Sequence, residues 1–154
     1  MGMEYPGYGF FSHQIVNQEI TKKKFSPNAK EIKKCAISLF NYVTTPRDKG
    51  GLGFQREDVI LFGRSMGSGP SSMLANMFKP RGLVLMSPYT TVKDVAVNVA
   101  GKFLSLFISE HFNNLEMMKR VKCPVLLIHG EADTLIPSKH SHILFETLLN
   151  QREY

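Results

Sequence analysis

Three short, continuously apolar runs stand out in the pattern of hydrophobic and polar positions along the chain. They cover residues 59–62, 83–86 and 125–128, and they are rich in branched side chains. Runs of this kind are typical of strands in a parallel sheet that is buried on both faces. Helical patterns lie between them, so the chain predicts an α/β fold with a mostly parallel sheet and flanking helices.

The predicted helices are apolar or amphipathic segments bounded by capping and turn residues. Residues 32–43 carry apolar side chains at helical spacing behind Ser26-Pro27, which supplies a cap and a first-turn proline. We expect this helix to end near Pro46. Further helices are predicted over residues 66–78 and 139–149.

Residues 92–108 form a longer helical pattern between the second and third strands. One interpretation is a packing helix that covers the sheet. Another is a lid that offers an apolar groove to a fatty chain. No repeat or low-complexity tract indicates a second domain, so we predict a single α/β domain over residues 1–154.

The net charge of +6 is compatible with an acidic partner or an anionic membrane surface. Its densest cluster is Lys22-Lys23-Lys24, which we interpret as a solvated loop. Zinc-finger spacing and base-stacking aromatic motifs are absent from the sequence. This absence argues against nucleic acid as a partner.

Targeting signals are not evident in the sequence. The longest stretch with few charges, residues 95–109, is too short to cross a bilayer and contains Lys102. The first residues lack the basic and apolar order of a secretory signal peptide. Cys35 and Cys123 form no disulfide framework or metal motif. We therefore predict a cytoplasmic location, with contact to a membrane surface left open.

The strongest chemical signal is the pentapeptide G-x-S-x-G at residues 63–67, directly after the first apolar run. A strand, this pentapeptide and a helix form the sharp turn that exposes a nucleophilic serine, here Ser65. Gly63 and Gly67 allow the tight turn and the close approach of strand and helix. The backbone N–H of Met66 is the expected donor to an oxyanion.

A nucleophilic serine also needs a base and an acid that orients the base. After this kind of turn, the expected order along the chain is serine, acid, histidine. Asp133 lies in the loop after the run 125–128 and fits the acid. Asp94 and Glu131 are the weaker rivals.

The base is harder to find, because only the helical stretch 139–149 follows the acid. Capping or solvated roles are favoured for the two histidines at the start of that helix, and a loop-fixing role for the one that ends a strand. The remaining two precede the acid. None of the histidines therefore takes the expected position; they are His13, His111, His129, His140 and His142.

Taken in order, the motifs resemble those of the alpha/beta-hydrolase superfamily. The resemblance rests on residues 3–9, 63–70 and 87–89, and on Cys123-Pro124 running into residues 129–133. Within that superfamily the chain is most similar to the alpha/beta-hydrolase domain-containing protein 17 group. Members of that group are serine thioesterases that remove palmitate from cysteines of membrane-associated proteins. The resemblance implies Ser65 as nucleophile, Asp133 as triad acid and Met66 as an oxyanion donor.

The resemblance also implies segments that this chain lacks. The family has earlier strands, a His-Gly loop with the other oxyanion donor, a cysteine-rich amino terminus, and a last strand with the histidine loop. We therefore expect an incomplete alpha/beta-hydrolase fold that is truncated at both ends. An unpaired seam is expected beside residues 59–62, where a strand would be missing.

Two functional hypotheses follow. The first is a serine hydrolase that cleaves acyl esters or thioesters through an acyl-enzyme on Ser65, in particular a palmitoyl-protein thioesterase. Its partner would be an acylated protein or a small acyl ester, and no metal or organic cofactor is expected. The alternative is a catalytically inactive remnant that binds a lipid or a protein. A peptidase of the same fold would differ only in its pocket.

Overall fold

The computed structural model describes residues 2–3, 13–16, 19–24, 28–95 and 111–152. It divides into two compact units, Met1–Leu52 and Gly53–Tyr154. The three predicted strands and the G-x-S-x-G turn all belong to the second unit. The single domain over residues 1–154 stays a prediction.

In the first unit, the described elements are two paired strands, an α-helix and a short 3₁₀ helix at Arg47–Lys49. Strands β1 (His13–Val16) and β2 (Glu19–Lys24) pair in antiparallel orientation. The lysine cluster lies within β2, so the prediction of a loop there is wrong. Backbone pairing with β1, including His13 opposite Lys24, holds this segment as a strand.

Helix α1 (Ala29–Thr44) confirms the first predicted helix, but its cap differs from the predicted one. The Asn28 side chain accepts a hydrogen bond of 2.9 Å from the Glu31 N–H, which is typical of an N-cap. Ser26-Pro27 lies outside the described residues. The apolar periodicity is confirmed by one buried face made of Ile32, Ala36 and Phe40.

The second unit is built on a three-stranded parallel sheet, which confirms the predicted α/β class. Its strands are β3 (Ile60–Arg64), β4 (Gly82–Met86) and β5 (Val125–Ile128). Their order is β3-β4-β5, with Leu83 of β4 opposite Leu61 on one side and Val125 on the other. Among the described residues β3 pairs only with β4, so its outer edge is where the unpaired seam was expected.

Three helices of the second unit pack on one face of this sheet. They are α2 (Ser68–Phe78), α3 (Asn114–Met118) and α4 (Lys139–Arg152). A shared core joins the inward side chains of β4 to all three helices; it contains Ala75, Leu83, Leu85, Met118, Val121, Cys123, Leu144 and Leu148. Residues 92–95 are helical, and the rest of the helix predicted over 92–108 lies outside the described residues.

The opposite face of the sheet, here called the open face, carries exposed apolar side chains among the described residues. Ile60 and Phe62 of β3 are 59% and 58% exposed, and Leu126 of β5 is 55% exposed. The prediction of strands buried on both faces is therefore wrong for this face. The physical reason is that the described core of this unit lies between the three helices and the face of the sheet that they cover.

No helix within the described ranges is both long and apolar enough to cross a bilayer.

Candidate active site

Ser65 lies at the turn where β3 leads into a helix. Residues Ser65–Gly67 form a 3₁₀ turn, and α2 continues directly from it. The φ of Ser65 is +50°, in the left-handed region that non-glycine residues rarely adopt. Such backbone strain costs about 1–3 kcal/mol and persists only where the surroundings enforce it. The predicted sharp strand-to-helix turn is therefore present, with Ser65 at its apex.

Gly63 is required by close packing between strand and helix. A Cβ at this position would come within 2.6 Å of the Gly67 carbonyl oxygen and 2.7 Å of Ser71 Oγ. Gly67 itself has an ordinary helical φ of −66°. The missing side chain of Gly63 makes room for the backbone of Gly67, as predicted for the close approach of strand and helix; the need for glycine at 67 stays a prediction.

Met66 is the second residue of the helical run that begins at Ser65. Backbone N–H groups of a first helical turn have no acceptor within the helix, and they point toward the positive end of the helix dipole. Pro70 is the third residue of α2, where the N–H that proline lacks would have no partner within that helix. The proline therefore does not break α2, and the 3₁₀ turn precedes it.

Asp133 lies in the loop after β5, at the same edge of the sheet as Ser65. Its Oδ1 accepts hydrogen bonds from the N–H groups of Leu135 (3.0 Å) and Ile136 (2.9 Å). The hydrogen bond from Ile136 is the largest cause of the lowered pKa of Asp133. Partial desolvation acts in the opposite direction and raises this pKa. The bond from Leu135, the Ser87 hydroxyl and the charge of His129 lower it further. The carboxylate is therefore ionised at neutral pH.

His129 fixes the loop that carries Asp133. Its Nε2 donates to the Ile136 carbonyl at 2.7 Å, and its Nδ1 lies 2.6 Å from the Ser141 hydroxyl. Its Nε2 is 3.8 Å from Asp133 Oδ2. Because both ring nitrogens are engaged within the loop and the start of α4, the loop-fixing interpretation of His129 is confirmed.

His140 is buried, so of the two roles that the sequence favoured, solvated or capping, the solvated one is wrong. The ring is 2% exposed, and Nδ1 lies 2.8 Å from the Thr90 hydroxyl and 3.3 Å from the Thr90 N–H. The same hydroxyl donates to Asp94 Oδ2 at 2.6 Å. Nε2 is buried and has no hydrogen-bond partner within the described segments. The rival acid Asp94 is thus linked to His140 through Thr90.

Among the described side chains, the remaining sequence candidates are not joined to the serine. His111, His142 and the rival acid Glu131 are exposed, and the side chain of His13 lies outside the description. Within the described part of the chain, Ser65 Oγ has no hydrogen bond to a histidine. The structure therefore places Ser65, Met66 and Asp133 at one edge of the sheet without a histidine bonded to the serine.

The chain also matches a known protein family. A model described as serine hydrolase (FSH1) matches residues 16–154. The chain belongs to this serine hydrolase family. It is 34% identical over 94 residues to alpha/beta hydrolase domain-containing protein 17B of Homo sapiens, a match that covers 61% of the chain and 32% of that protein. It is also 35% identical over 98 residues to alpha/beta hydrolase domain-containing protein aho-3 of Caenorhabditis elegans, covering 64% and 29%.

The chain spans about a third of the length of the curated relatives it matches. Among solved structures it resembles the esterase Pf2001 of Pyrococcus furiosus, with a TM-score of 0.59, 19% identity and coverage of 83% and 51%. A puromycin-hydrolyzing peptidase of Mycobacterium tuberculosis gives a TM-score of 0.60, 16% identity and coverage of 79% and 20%. At these identities the likeness shows the fold, a partial alpha/beta-hydrolase fold, as the sequence predicted.

Sequence reasoning missed the polar contacts around the candidate site. Asn114 and Ser68 form a buried hydrogen-bond chain under the turn, and the Ser87 side chain is one cause of the lowered pKa of Asp133. Only Ser68, adjacent to the pentapeptide, carried a local signal. Within the described ranges no group of three His, Cys, Asp or Glu side chains could hold a metal ion.

We predict that His140 makes folding stability sensitive to acid. Burial is the main cause that lowers the pKa of His140; the charges of Lys139 and His129 add to it, and Asp94 opposes it. The unfolded chain therefore binds a proton more readily, so stability is full above about pH 6.5 and falls as the pH drops toward the lowered pKa.

Urea unfolding at a series of pH values measures this effect. His140→Gln should flatten the dependence below about pH 6.5. His142→Gln, at an exposed position of the same helix, should leave it unchanged. If the unfolding free energy fell equally with pH in His140→Gln and in the wild type, the role of His140 in acid sensitivity would be contradicted.

Proposed function

We propose that Ser65 is the nucleophile of an acyl ester or thioester hydrolase, and that the acyl-enzyme forms on its Oγ. The observation that carries the proposal is the φ of +50° at Ser65, directly after a parallel strand and at the start of a helix. Backbone strain of this kind is concentrated at functional sites. At a strand-to-helix turn of this type it exposes the side chain of the nucleophilic serine.

In the proposed reaction, Ser65 Oγ attacks the carbonyl carbon of the acyl group while a base takes its proton. The negative charge that develops on the carbonyl oxygen is stabilised by the N–H of Met66, at the positive end of the helical run. The thiol or alcohol leaves with a proton. Water then hydrolyses the ester on Ser65 and releases a carboxylic acid.

Asp133 is proposed as the acid that orients the base. Ser65 follows β3 and Asp133 lies in the loop after β5; the ends of these strands lie on either side of β4, about two strand spacings or about 10 Å apart. An imidazole between them would sit above Ser87, at the end of β4. The lowered pKa of Asp133 supports the role, because an ionised carboxylate stabilises the imidazolium that forms.

For the substrate, we propose the thioester that joins palmitate to a cysteine of a membrane-associated protein. Support comes from the motifs shared with the alpha/beta-hydrolase domain-containing protein 17 group and from the 34% identity to its human 17B member. The reaction consumes one water and yields palmitate and a free thiol. The protein would meet such a substrate at a membrane surface.

One observation favours a second function. His129 and His140 are both committed to contacts away from the serine, so the described residues do not provide Ser65 with a base. Without a base, binding and oxyanion stabilisation leave only a small part of the catalysis. The alternative is therefore a module that holds a lipid or a protein without hydrolysing it.

The test is covalent labelling of the 154-residue chain with a fluorophosphonate, which replaces fluoride with Ser65 Oγ at its phosphorus atom. We expect one adduct, mapped to Ser65 by mass spectrometry, and its complete loss in Ser65→Ala. Ser71→Ala is the matched control, since Ser71 lies on the neighbouring helix and donates only to the Phe62 carbonyl at 3.2 Å.

Circular dichroism and hydrolysis of palmitoyl thioesters complete the test. A folded wild type that takes no label would overturn the nucleophile and favour the binding module. A labelled Ser65 with hydrolysis of short oxygen esters but not of palmitoyl thioesters would keep the nucleophile and reject the proposed substrate.

A further inference from the structure

A buried chain of hydrogen bonds runs beneath the turn that carries Ser65. The Asn114 side-chain amide donates to Ser68 Oγ at 3.0 Å and to the Tyr89 carbonyl at 2.8 Å. The Ser68 hydroxyl donates to the Ser65 carbonyl at 2.7 Å. Asn114 and Ser68 are both fully buried. The chain thus links α3, the end of β4 and the first turn of α2 to the strained residue.

The direction of each bond in this chain follows from the chemistry of its ends. The Tyr89 carbonyl can only accept, so the amide nitrogen of Asn114 must face it. That nitrogen then donates its second hydrogen to Ser68 Oγ. The hydroxyl hydrogen of Ser68 remains for the Ser65 carbonyl, which also can only accept. The orientation of the Asn114 amide therefore determines the direction of all three hydrogen bonds.

The last bond of the chain controls an atom of the proposed site. The Ser65 carbonyl and the Met66 N–H belong to one planar peptide unit. Holding the carbonyl oxygen on one side of that unit aims the N–H on the other side. Asn114 Oδ1 is buried without a hydrogen-bond partner among the described residues, which is a cost that ordinary core packing does not explain.

We propose that Ser68 and Asn114 are positioning residues that hold the Ser65–Met66 peptide, and so aim the N–H that would bind the oxyanion. The inference rests on the proposed function of Ser65 and Met66. It deepens that function by naming residues that neither touch the substrate nor belong to the triad. Ser68 acts directly on the peptide, and Asn114 acts through Ser68.

The test compares two buried serines on the same helix. Ser68→Ala removes the hydroxyl that bonds Ser65. Ser72→Ala removes a hydroxyl that is equally buried and has no hydrogen-bond partner within the described ranges. Fluorophosphonate labelling at several probe concentrations separates the maximal rate, kinact, from the binding constant, KI. If Ser68 had only a structural role, a Ser68→Ala variant that stays folded would not show a lower kinact with an unchanged KI.

We expect Ser68→Ala to lower kinact about tenfold with KI unchanged, because a misplaced donor affects the transition state and not probe binding. Ser72→Ala should match the wild type. Ser68→Cys, which fills the site with a weaker donor, should fall between them and serves in place of Ser68→Ala if that variant does not fold. Wild-type kinact in a folded Ser68→Ala would overturn the proposal.

A second readout separates this inference from the proposed function. The NMR order parameter of the Met66 amide should fall from about 0.85 toward about 0.6 in Ser68→Ala and stay unchanged in Ser72→Ala. If the wild type takes no label, the function of Ser65 fails and this measurement still decides the positioning role. An unchanged order parameter in Ser68→Ala would then overturn it.

Discussion

Gly63→Ala is expected to destabilise the second unit by about 3 kcal/mol and to displace Ser65. The added Cβ would meet the Gly67 carbonyl oxygen at 2.6 Å and its carbon at 2.9 Å. Both are backbone atoms, so no side chain can rotate out of the way. Strand β3 and the first turn of α2 would have to separate, and the hydrogen bond from Ser71 to the Phe62 carbonyl spans the same gap.

Chemical denaturation followed by circular dichroism measures this change. Gly130→Ala is the matched control, because a Cβ there would meet no atom within 4 Å and its φ lies outside the left-handed region. We expect that control to stay within about 0.5 kcal/mol of the wild type. If Gly63→Ala proved as stable as Gly130→Ala, the close approach of β3 and α2 at this turn would be refuted.

Leu85→Ala is expected to cost about 3–4 kcal/mol of unfolding free energy. Leu85 lies in the central strand β4, has no exposed surface, and belongs to the core that joins β4 to the three helices. Truncation removes apolar contact on the closed face of the sheet and leaves a cavity. Because β4 pairs with both neighbouring strands, the surroundings can collapse into that cavity only in part.

The control for this prediction lies on the same sheet. Leu126→Ala makes the identical substitution on β5, where the side chain is 55% exposed on the open face. We expect a loss below about 1 kcal/mol, since little apolar area is buried there. The difference in urea midpoint between the two variants measures the asymmetry of the faces. Similar losses would mean that the open face is covered in solution.

The elements that the sequence predicted well are those with a strong local pattern. The apolar run 125–128 coincides with β5, and the other two runs fall within two residues of β3 and β4. A parallel sheet brings the carboxyl ends of its strands to one edge, so the positions of Ser65 and Asp133 at that edge also followed from strand order. The fold class and the location of the proposed site were therefore predictable.

The local patterns failed where neighbours in space decided the outcome. The local pattern predicts a polar loop at the lysine cluster, but backbone pairing with β1 makes this segment a strand. The local pattern predicts a solvated or capping role for His140 at a helix start, but packing against Thr90 buries it. Continuous apolar strands read as buried on both sides, but the described core covers only one face. In each case the residue type allowed several environments, and tertiary contacts selected one.

By itself, the sequence determined the three parallel strands, helices α1, α2 and α4, the sharp turn at Ser65, and the edge of the sheet where Ser65 and Asp133 lie. Periodicity and glycine positions act over a few residues, so they can be read locally. The tertiary structure alone decided which sheet face is open, which histidines are committed elsewhere, and how Asn114 supports Ser65. Those features join residues as far as 46 or 50 positions apart, and only the packing of the chain brings such residues together.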